Sequence, residues 1–230
     1  MGRFGGILIV VNNAGTLDLT NGGGLPDDTL TVNGTLNSLY GRLRLDSVLN
    51  GGGALSNQSS DILRVTGDVN GTALIEVTPA AASTGVLSDA NQNAAIQPNE
   101  GVSLVQVAGN ARADSFALQG GYLAAGPWRY DLYSFAPGNS EADQRLVAGS
   151  GSQFWDYRLA NGLVTSGSSS RAAVVPQVPS YISAPVGLAL HRRDPRRFAT
   201  APGRVASPAG FACRRWRRHV RALHRLESAL

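Results

Sequence analysis

The 230-residue sequence has one cysteine, Cys213, three histidines and no lysine, so its 20 basic residues are all arginine. The cysteine and the histidines lie beyond residue 190, which leaves residues 1–190 without a thiol or an imidazole. A disulfide needs two cysteines, a thiolate metal site needs several, and a Ser-His-Asp triad needs a histidine base. All three kinds of site are therefore excluded from residues 1–190.

Charged residues make up 16% of the chain and aromatic residues 7%, whereas glycine occurs 28 times. This composition is more typical of short strands and turns than of amphipathic helices. Hydrophobic runs are also short: Ile7–Val11 has five residues, whereas a membrane-spanning helix needs about 20. We therefore expect an all-β protein, and we expect this sequence to encode neither an export signal nor a membrane anchor.

The formal net charge of +4 is divided unevenly along the chain. Residues 1–190 contain 9 arginines and 14 acidic residues, whereas residues 191–230 contain 11 arginines and 2 acidic residues. Dense charge of one sign and interspersed prolines oppose the formation of a core. We expect residues 191–230 to be a disordered arginine-rich tail that results from translation out of frame.

Short β-favouring runs, separated by glycine and asparagine, extend from Phe4 to Leu159. Several alternate apolar with polar residues, which places one set of side chains in a core and the other in solvent. From Leu25 to Val77 the pattern recurs at intervals of roughly 20 residues, which favours a parallel β-solenoid, although an up-and-down barrel or a sandwich gives similar spacings. The side chains predicted to point inward are Leu43, Leu45, Ile62, Val65, Leu74, Val77, Val102, Leu104 and Val107.

Short motifs follow one another in a fixed order along the chain. The central motif, Ser60–Val77, reads SDILRVTGDVNGTALIEV and contains Asp61, Gly67 and Gly71. The motifs around it are Gly41–Leu45, Gly101–Val107, Ser115–Leu118, Gly126–Leu132, Phe154–Leu159 and Val175–Tyr181. Together they resemble the coils, the last strands and the linker of pertactin-like autotransporter passengers, with Trp128 in the place of the family's first aromatic residue in GxYxYxL.

That resemblance implies a right-handed parallel β-helix, a solenoid of the pectin-lyase-like type, with coils over residues 1–110. A C-terminal β-rich cap, or autochaperone region, is expected over 111–160, and a linker that would precede a β-barrel over 161–190. In the family, the passenger reaches the cell surface through its own C-terminal outer-membrane barrel, and its C-terminal part promotes folding of the rest. The implied function is structural support for surface display or adhesion, and the implied partners are the barrel and host-surface ligands.

The sequence departs from the family after about Leu190, where the arginine-rich tail, residues 191–230, stands in the place of the barrel. We therefore expect a truncated passenger. An alternative function comes from Arg214–Arg221, whose charge density and tryptophan are typical of a nucleic-acid-binding arm. This alternative is a small soluble β-protein with such an arm, although nearly any arginine cluster attracts phosphate.

The candidate catalytic and metal sites have weak support. Asp61 is interpreted as a turn residue whose carboxylate caps backbone amides at the start of Ile62–Val65. Asp27 and Asp28 lack the set of regularly spaced oxygen ligands that calcium needs. The acidic residues are too scattered for a polysaccharide lyase, and Gly149–Ser152 has no histidine base to activate its serines. We expect no enzyme activity, no cofactor, no metal and no small-molecule substrate.

Aromatic residues are concentrated after residue 115. They suit a cap, because the end of a solenoid exposes an apolar cross-section that must be covered. A ligand-stacking surface is the alternative interpretation. The expected structural and capping residues are Asp61, Gly67, Gly71, Phe116, Trp128, Tyr130, Trp155 and Tyr157.

Overall fold

The computed structural model of the protein describes residues 10–20, 26–81, 83, 85–149 and 153–178. These residues form thirteen β-strands and two 3-10 helices of three residues each, Leu55–Asn57 and Ala142–Gln144. The expectation of an all-β protein is confirmed. Within the described ranges, no helix is long and apolar enough to cross a membrane. The predicted tail at 191–230, the linker beyond residue 178 and the serines at 150 and 152 lie outside the described residues.

The first sheet is parallel and has β4 at its centre. β1 and β2 pair with one edge of β4, β6 pairs with the other edge, and β8 pairs with β6. Its strands are β1 (Val10–Asn13), β2 (Thr16–Asp18), β4 (Thr35–Ser47), β6 (Val69–Pro79) and β8 (Phe116–Leu118). The pairing aligns residues into rows across the sheet, for example Leu17, Leu43, Ile75 and Leu118.

The second sheet begins parallel and ends antiparallel. Its strands are, in spatial order, β3 (Thr29–Val32), β5 (Ile62–Val65), β7 (Val102–Val107), β11 (Trp155–Asn161), β10 (Trp128–Phe135) and β9 (Leu123–Ala125). β3, β5 and β7 pair in parallel, whereas β7, β11, β10 and β9 pair antiparallel. The change of direction therefore occurs between β7 and β11.

The chain passes repeatedly from the second sheet to the first, through β3 and β4, then β5 and β6, then β7 and β8. Corresponding residues of the first two passages are 33 apart, as for Asn37 and Asn70, and those of the next two are 42 apart, as for Asp68 and Asn110. The interval of roughly 20 residues predicted from the sequence is too short. The prediction counted one strand–turn–strand unit as the repeat. The repeat in the structure also includes the loop that returns the chain to the second sheet.

The core lies between the two sheets and contains seven of the nine side chains predicted to point inward. Ile62 is buried but does not belong to this core, because its neighbours Leu63 and Val65 do and successive side chains point to opposite faces. The prediction for Leu74 is wrong, because this residue is partly exposed. Its neighbours Ala73, Ile75 and Val77 are buried. Since successive side chains of a strand point to opposite faces, this inward set places Leu74 on the outer face of β6.

A third, two-stranded sheet lies within the segment predicted to be a linker. β12 (Leu163–Ser166) and β13 (Ser169–Ala172) form an antiparallel hairpin whose turn contains Gly167 at φ 63°. The structure differs here from the expected flexible linker, because glycine and serine are as compatible with a tight turn and polar strands as with a linker. After the hairpin, Val174 forms an antiparallel bridge with Trp128. The chain then turns, and the Val178 amide donates a hydrogen bond to the carbonyl oxygen of Val175 at 3.1 Å.

Candidate functional site

The boundary between β7 and β11 joins the parallel strands to the antiparallel ones. All six residues of β7 are buried, and so are all residues of β11 after Trp155. Asp156 and Arg158 lie on the face of β11 opposite Tyr157 and Leu159, because side chains alternate along a strand. The candidate site is built from this second face, which carries charged and polar side chains although it is not exposed to solvent.

Asp156 and Arg158 form an ion pair with essentially no exposed surface. The Arg158 Nη1 atom lies 2.8 Å from the Asp156 Oδ2 atom, and the two side chains are 0% and 1% exposed. Arg158 also donates hydrogen bonds from Nε to the carbonyl oxygen of Glu100 (2.8 Å) and from Nη2 to that of Gly101 (2.9 Å). Each nitrogen of the guanidinium group therefore has an acceptor, as a buried cation requires.

Ser103 and Gln106 extend the ion pair into a network. Ser103 Oγ donates a hydrogen bond to Asp156 Oδ1 at 2.5 Å, and Gln106 Nε2 lies 3.2 Å from Ser103 Oγ. Gln106 also donates to the carbonyl oxygen of Gln144 at 2.6 Å. Its Oε1 atom accepts from the backbone amides of residues 146 and 147. We call Ser103, Gln106, Asp156 and Arg158 the cap network, because it attaches the segment around Gln144 to β7 and β11.

Gln58 connects the cap network to an earlier part of the chain. Its Oε1 atom accepts a hydrogen bond from the Ser103 backbone amide at 2.9 Å. Its Nε2 atom donates to Gly53 O at 2.6 Å and to Gln144 Oε1 at 3.0 Å. Gln58 and Gln144 are 86 residues apart in sequence. The polar contacts therefore join the loop before β5 to the segments that cover the last parallel strand of the second sheet.

Burial governs the electrostatics of this site. Loss of hydration raises the pKa of Asp156 above its ordinary value, while the neighbouring Arg158 charge and the Ser103 hydroxyl act in the opposite direction. Neither charged group has exposed surface with which to contact a substrate. The ion pair therefore holds segments of the protein together and does not bind a substrate. Removal of one partner from such a pair leaves an uncompensated buried charge, which is strongly destabilising.

Asp61 makes a second buried polar contact between segments that are distant in sequence. Its Oδ1 atom accepts from the Asp28 amide at 3.0 Å and its Oδ2 atom from the Asp46 amide at 2.7 Å, and the residue is fully buried. The carboxylate thus binds amides that belong to the residue before β3 and to the end of β4, not to the start of β5. Burial raises the pKa of Asp61, and the two amides partly oppose that rise.

Gly67 and Gly71 lie where neighbouring backbones approach closely. A Cβ atom on Gly67 would lie 2.7 Å from both the carbonyl carbon and the carbonyl oxygen of Gly34, whose oxygen accepts the Gly67 amide at 3.0 Å. Gly109 in turn donates its amide to the Gly67 carbonyl at 3.1 Å. Gly71 has φ 81°, and a Cβ there would collide with the carbonyl oxygen of Ser38. Both predicted positions therefore require glycine.

The five aromatic residues predicted to form a cap belong to one core, but to different depths. Phe116, Tyr130 and Tyr157 are buried in it, whereas Trp128 and Trp155 are partly exposed and pack against it. The Phe116 and Tyr157 rings meet edge to face with centroids 4.8 Å apart, and Trp155 stacks on Tyr157 at 6.0 Å. Tyr157 also donates its hydroxyl to the carbonyl oxygen of residue 112 at 2.6 Å. Tyr157 is therefore central to this cluster.

Sequence reasoning did not identify the cap network. Asp156 and Arg158 alternate with aromatic residues in a predicted strand, a pattern that normally places the charged pair in solvent. The sequence signal that was available is their i, i+2 spacing, which puts opposite charges on one face of a strand. In the described part of the chain, no group of three or more histidine, cysteine or acidic residues could hold a metal ion.

No family model matches the chain. Over 126 residues the sequence is 30% identical to the uncharacterized protein YdeU of Escherichia coli (strain K12). This similarity covers 55% of the present chain and 23% of that protein. The matched region of the chain thus spans less than a quarter of the length of this relative.

Proposed function

We propose that this chain is part of a longer right-handed parallel β-helix of the pectin-lyase-like type and that its function is structural. The observation that carries this proposal is the successive parallel pairing of strands in both sheets, with the chain alternating between the sheets. β5 pairs with β3 and with β7, and β6 pairs with β4 and with β8. Strands that return to the same two sheets and pair in parallel are what the successive coils of a solenoid produce. The greater length of YdeU is compatible with additional coils.

Repeated side-chain contacts on the outer face of the first sheet support the same proposal. Asn37 Nδ2 donates to Asn12 Oδ1 at 2.9 Å, and Asn70 Nδ2 donates to Asn37 Oδ1 at 2.8 Å. In a second row, Arg44 lies between Asp18 and Glu76, with N–O distances of 2.6 and 3.5 Å. Rows of contacts between equivalent residues of neighbouring coils stabilise a solenoid one coil at a time.

The wider biological proposal is that the β-helix is the stem of a pertactin-like autotransporter passenger. Such a stem is exported through the barrel at the C-terminus of the same protein and supports display or adhesion at the cell surface, where it contacts host-surface ligands. The support is the order of the sequence motifs, together with the structural need for glycine at Gly67 and Gly71 and the buried position of Asp61 within the central motif. No catalytic step is part of this function.

Within the passenger, we assign residues 111–160 the role of promoting the folding of the parallel coils. β11 covers the edge of β7, the last parallel strand of the second sheet, and the cap network fixes this pairing through contacts with Gln58 and Gln144. An exposed strand edge is otherwise available for wrong pairing. Early formation of this region would give the upstream coils a fixed edge on which to pair.

Refolding of the full chain tests the folding role. The Ser103→Ala variant removes the 2.5 Å hydrogen bond to Asp156, and Ser170→Ala is a matched control that removes an exposed hydroxyl contact with Thr165. Backbone amides of β4 and β6 are followed by pulsed hydrogen exchange during refolding from urea. We expect Ser103→Ala to delay their protection and Ser170→Ala to leave it unchanged. Equal protection rates in the two variants would contradict the folding role.

Surface labelling tests the passenger proposal. The gene that encodes this chain is expressed in its own host, and an antibody raised against residues 62–118 is applied to intact cells. We expect binding to intact cells that is abolished when they are treated with an external protease. Antigen detected only after lysis would exclude a surface-displayed passenger, whatever the fold.

A further inference from the structure

An open cleft lies beside the β12–β13 hairpin. It has a volume of about 490 Å³ and is bounded by the loop that precedes β7, the start of β10 and the hairpin with the segment that follows it. This volume lies in the range of single small-molecule sites. The lining residues are Leu87, Trp128, Val164, Arg171, Ala172, Ala173 and Val174.

The walls of the cleft are apolar and open to solvent. Leu87, Val164 and Val174 are 42%, 46% and 42% exposed, and Trp128 is also partly exposed. These three belong to the seven large hydrophobic side chains that are exposed in the described residues. A concentration of exposed apolar side chains around a concave surface is typical of a ligand site.

Arg171 is the only charged residue in the cleft lining. Its side chain takes part in none of the ion pairs found among the described residues, whereas nearby Arg129 pairs with Asp131 at 2.7 Å. A guanidinium group recognises carboxylate and phosphate through paired N–H donors. The cleft therefore combines an apolar surface with one cation whose charge is not neutralised by an acidic side chain of the lining.

We propose that this cleft binds a single anionic amphiphile of the long-chain carboxylate class. The apolar chain lies against Leu87, Trp128, Val164 and Val174, and the carboxylate binds the guanidinium group of Arg171. A purely apolar ligand would leave Arg171 without an anion. A small anion without an apolar chain would leave the walls of the cleft exposed to solvent. This proposal does not depend on the proposed β-helix or passenger function.

Tryptophan fluorescence tests the proposal in the full chain. Trp155→Phe and Trp216→Phe leave Trp128 as the only tryptophan, so the emission reports on the cleft and not on the arginine-rich residues 191–230. Dodecanoate, kept below its micelle concentration, is titrated into this protein. We expect a saturable change in Trp128 emission, with at least about tenfold weaker binding for dodecan-1-ol, since the charged hydrogen bonds to Arg171 are lost.

Arg171→Gln is the decisive variant, and Arg42→Gln is its matched control because Arg42 is an exposed arginine on β4, outside the cleft lining. We expect Arg171→Gln to weaken dodecanoate binding about tenfold and Arg42→Gln to leave it unchanged. Val164→Glu, which places a carboxylate in the cleft, should weaken binding as well. Near-ultraviolet circular dichroism checks that each variant is folded.

Three results would overturn the proposal. The first is a Trp128 emission that does not saturate with dodecanoate. The second is equal affinity of the Arg171→Gln and Arg42→Gln variants. The third is a response to anionic vesicles without a response to monomeric dodecanoate, which would make the surface a membrane-docking site.

Discussion

Arg158 lies two residues after Asp156 on β11, and their charged atoms meet 2.8 Å apart without contact with solvent. A strand places such residues on one face, and here that face is covered by the segment around Gln144, which Gln106 binds. The burial of a charged face is costly unless each group is paired. The cap network satisfies this condition, so removal of one of its charged groups should lower the free energy of unfolding of the protein.

The first prediction concerns the free energy of unfolding of the Arg158→Met variant. Loss of the guanidinium group leaves Asp156 buried without its partner, and we expect a decrease of roughly 3–5 kcal/mol. Urea denaturation followed by far-ultraviolet circular dichroism measures it. Arg112→Met is the control: it breaks the exposed pair with Asp114, and exposed pairs contribute little.

A double variant separates the loss of the charge from the loss of packing. In Asp156→Leu with Arg158→Met, both charges are replaced by apolar side chains, so no unpaired charge stays buried. We expect the double variant to recover part of the stability that Arg158→Met loses. A double variant that is less stable than Arg158→Met would show that the polar contacts to Ser103 and Glu100, and not the charge balance, dominate.

The second prediction concerns the pH dependence contributed by Asp61. Burial raises the folded-state pKa of Asp61 above its ordinary value of 3.8, so between the two pKa values the folded state binds more protons than the unfolded state. The contribution of Asp61 to stability is therefore fully present below 3.8 and falls as pH rises through the folded pKa. We compare the wild type with Asp61→Asn by urea denaturation from about pH 3 to about pH 7. The stability advantage of the wild type should shrink with rising pH. An advantage that grows would mean that the two amides outweigh desolvation.

The third prediction concerns the backbone contact between Gly67 and Gly34. A methyl group on Gly67 would meet backbone atoms at 2.7 Å, which cannot move as the end of a flexible side chain can. We expect Gly67→Ala to destabilise the protein by about 1–3 kcal/mol. Gly15→Ala is the matched control, because a Cβ there meets no atom within 4 Å, and it should change stability by no more than about 0.5 kcal/mol. Equal effects of the two substitutions would contradict the close approach.

Local patterns predicted the parts of the fold that depend on alternation within one strand. Leu43 and Leu45 are buried as expected, because buried and more exposed residues alternate from Gly41 to Leu45 in β4. Leu74 was predicted to lie on the wrong face of β6. Its buried neighbour Ala73 points inward, but alanine is small and only weakly hydrophobic, so the sequence does not mark it as a core residue. Alternation alone indicates which side chains share a face and not what covers that face.

The cap network and the hairpin could not be predicted for a different physical reason. The cap network contacts Gln144, in the segment before β11, and Gln58, which is 45 residues from Ser103 in sequence. Such contacts are set by tertiary packing and leave no periodic trace in the sequence. Similarly, Ser169 and Ser170 form a strand because β12 pairs with them, although their composition is that of a linker.

The last prediction concerns the aromatic cluster of Phe116, Trp155 and Tyr157. Trp155 is partly exposed and stacks on Tyr157, which is fully buried, contacts Phe116 and donates its hydroxyl to a backbone carbonyl. Tyr157→Ala should therefore cost about 3–5 kcal/mol, and Trp155→Ala clearly less, because the cost of truncation depends on how much buried volume is lost. Tyr157→Phe keeps the ring and removes one hydrogen bond, so its cost should be about 1 kcal/mol. Urea denaturation of the three variants ranks them by their loss of free energy of unfolding. If Trp155→Ala is the most destabilising of the three, the aromatic cluster is centred on the tryptophan and not on Tyr157.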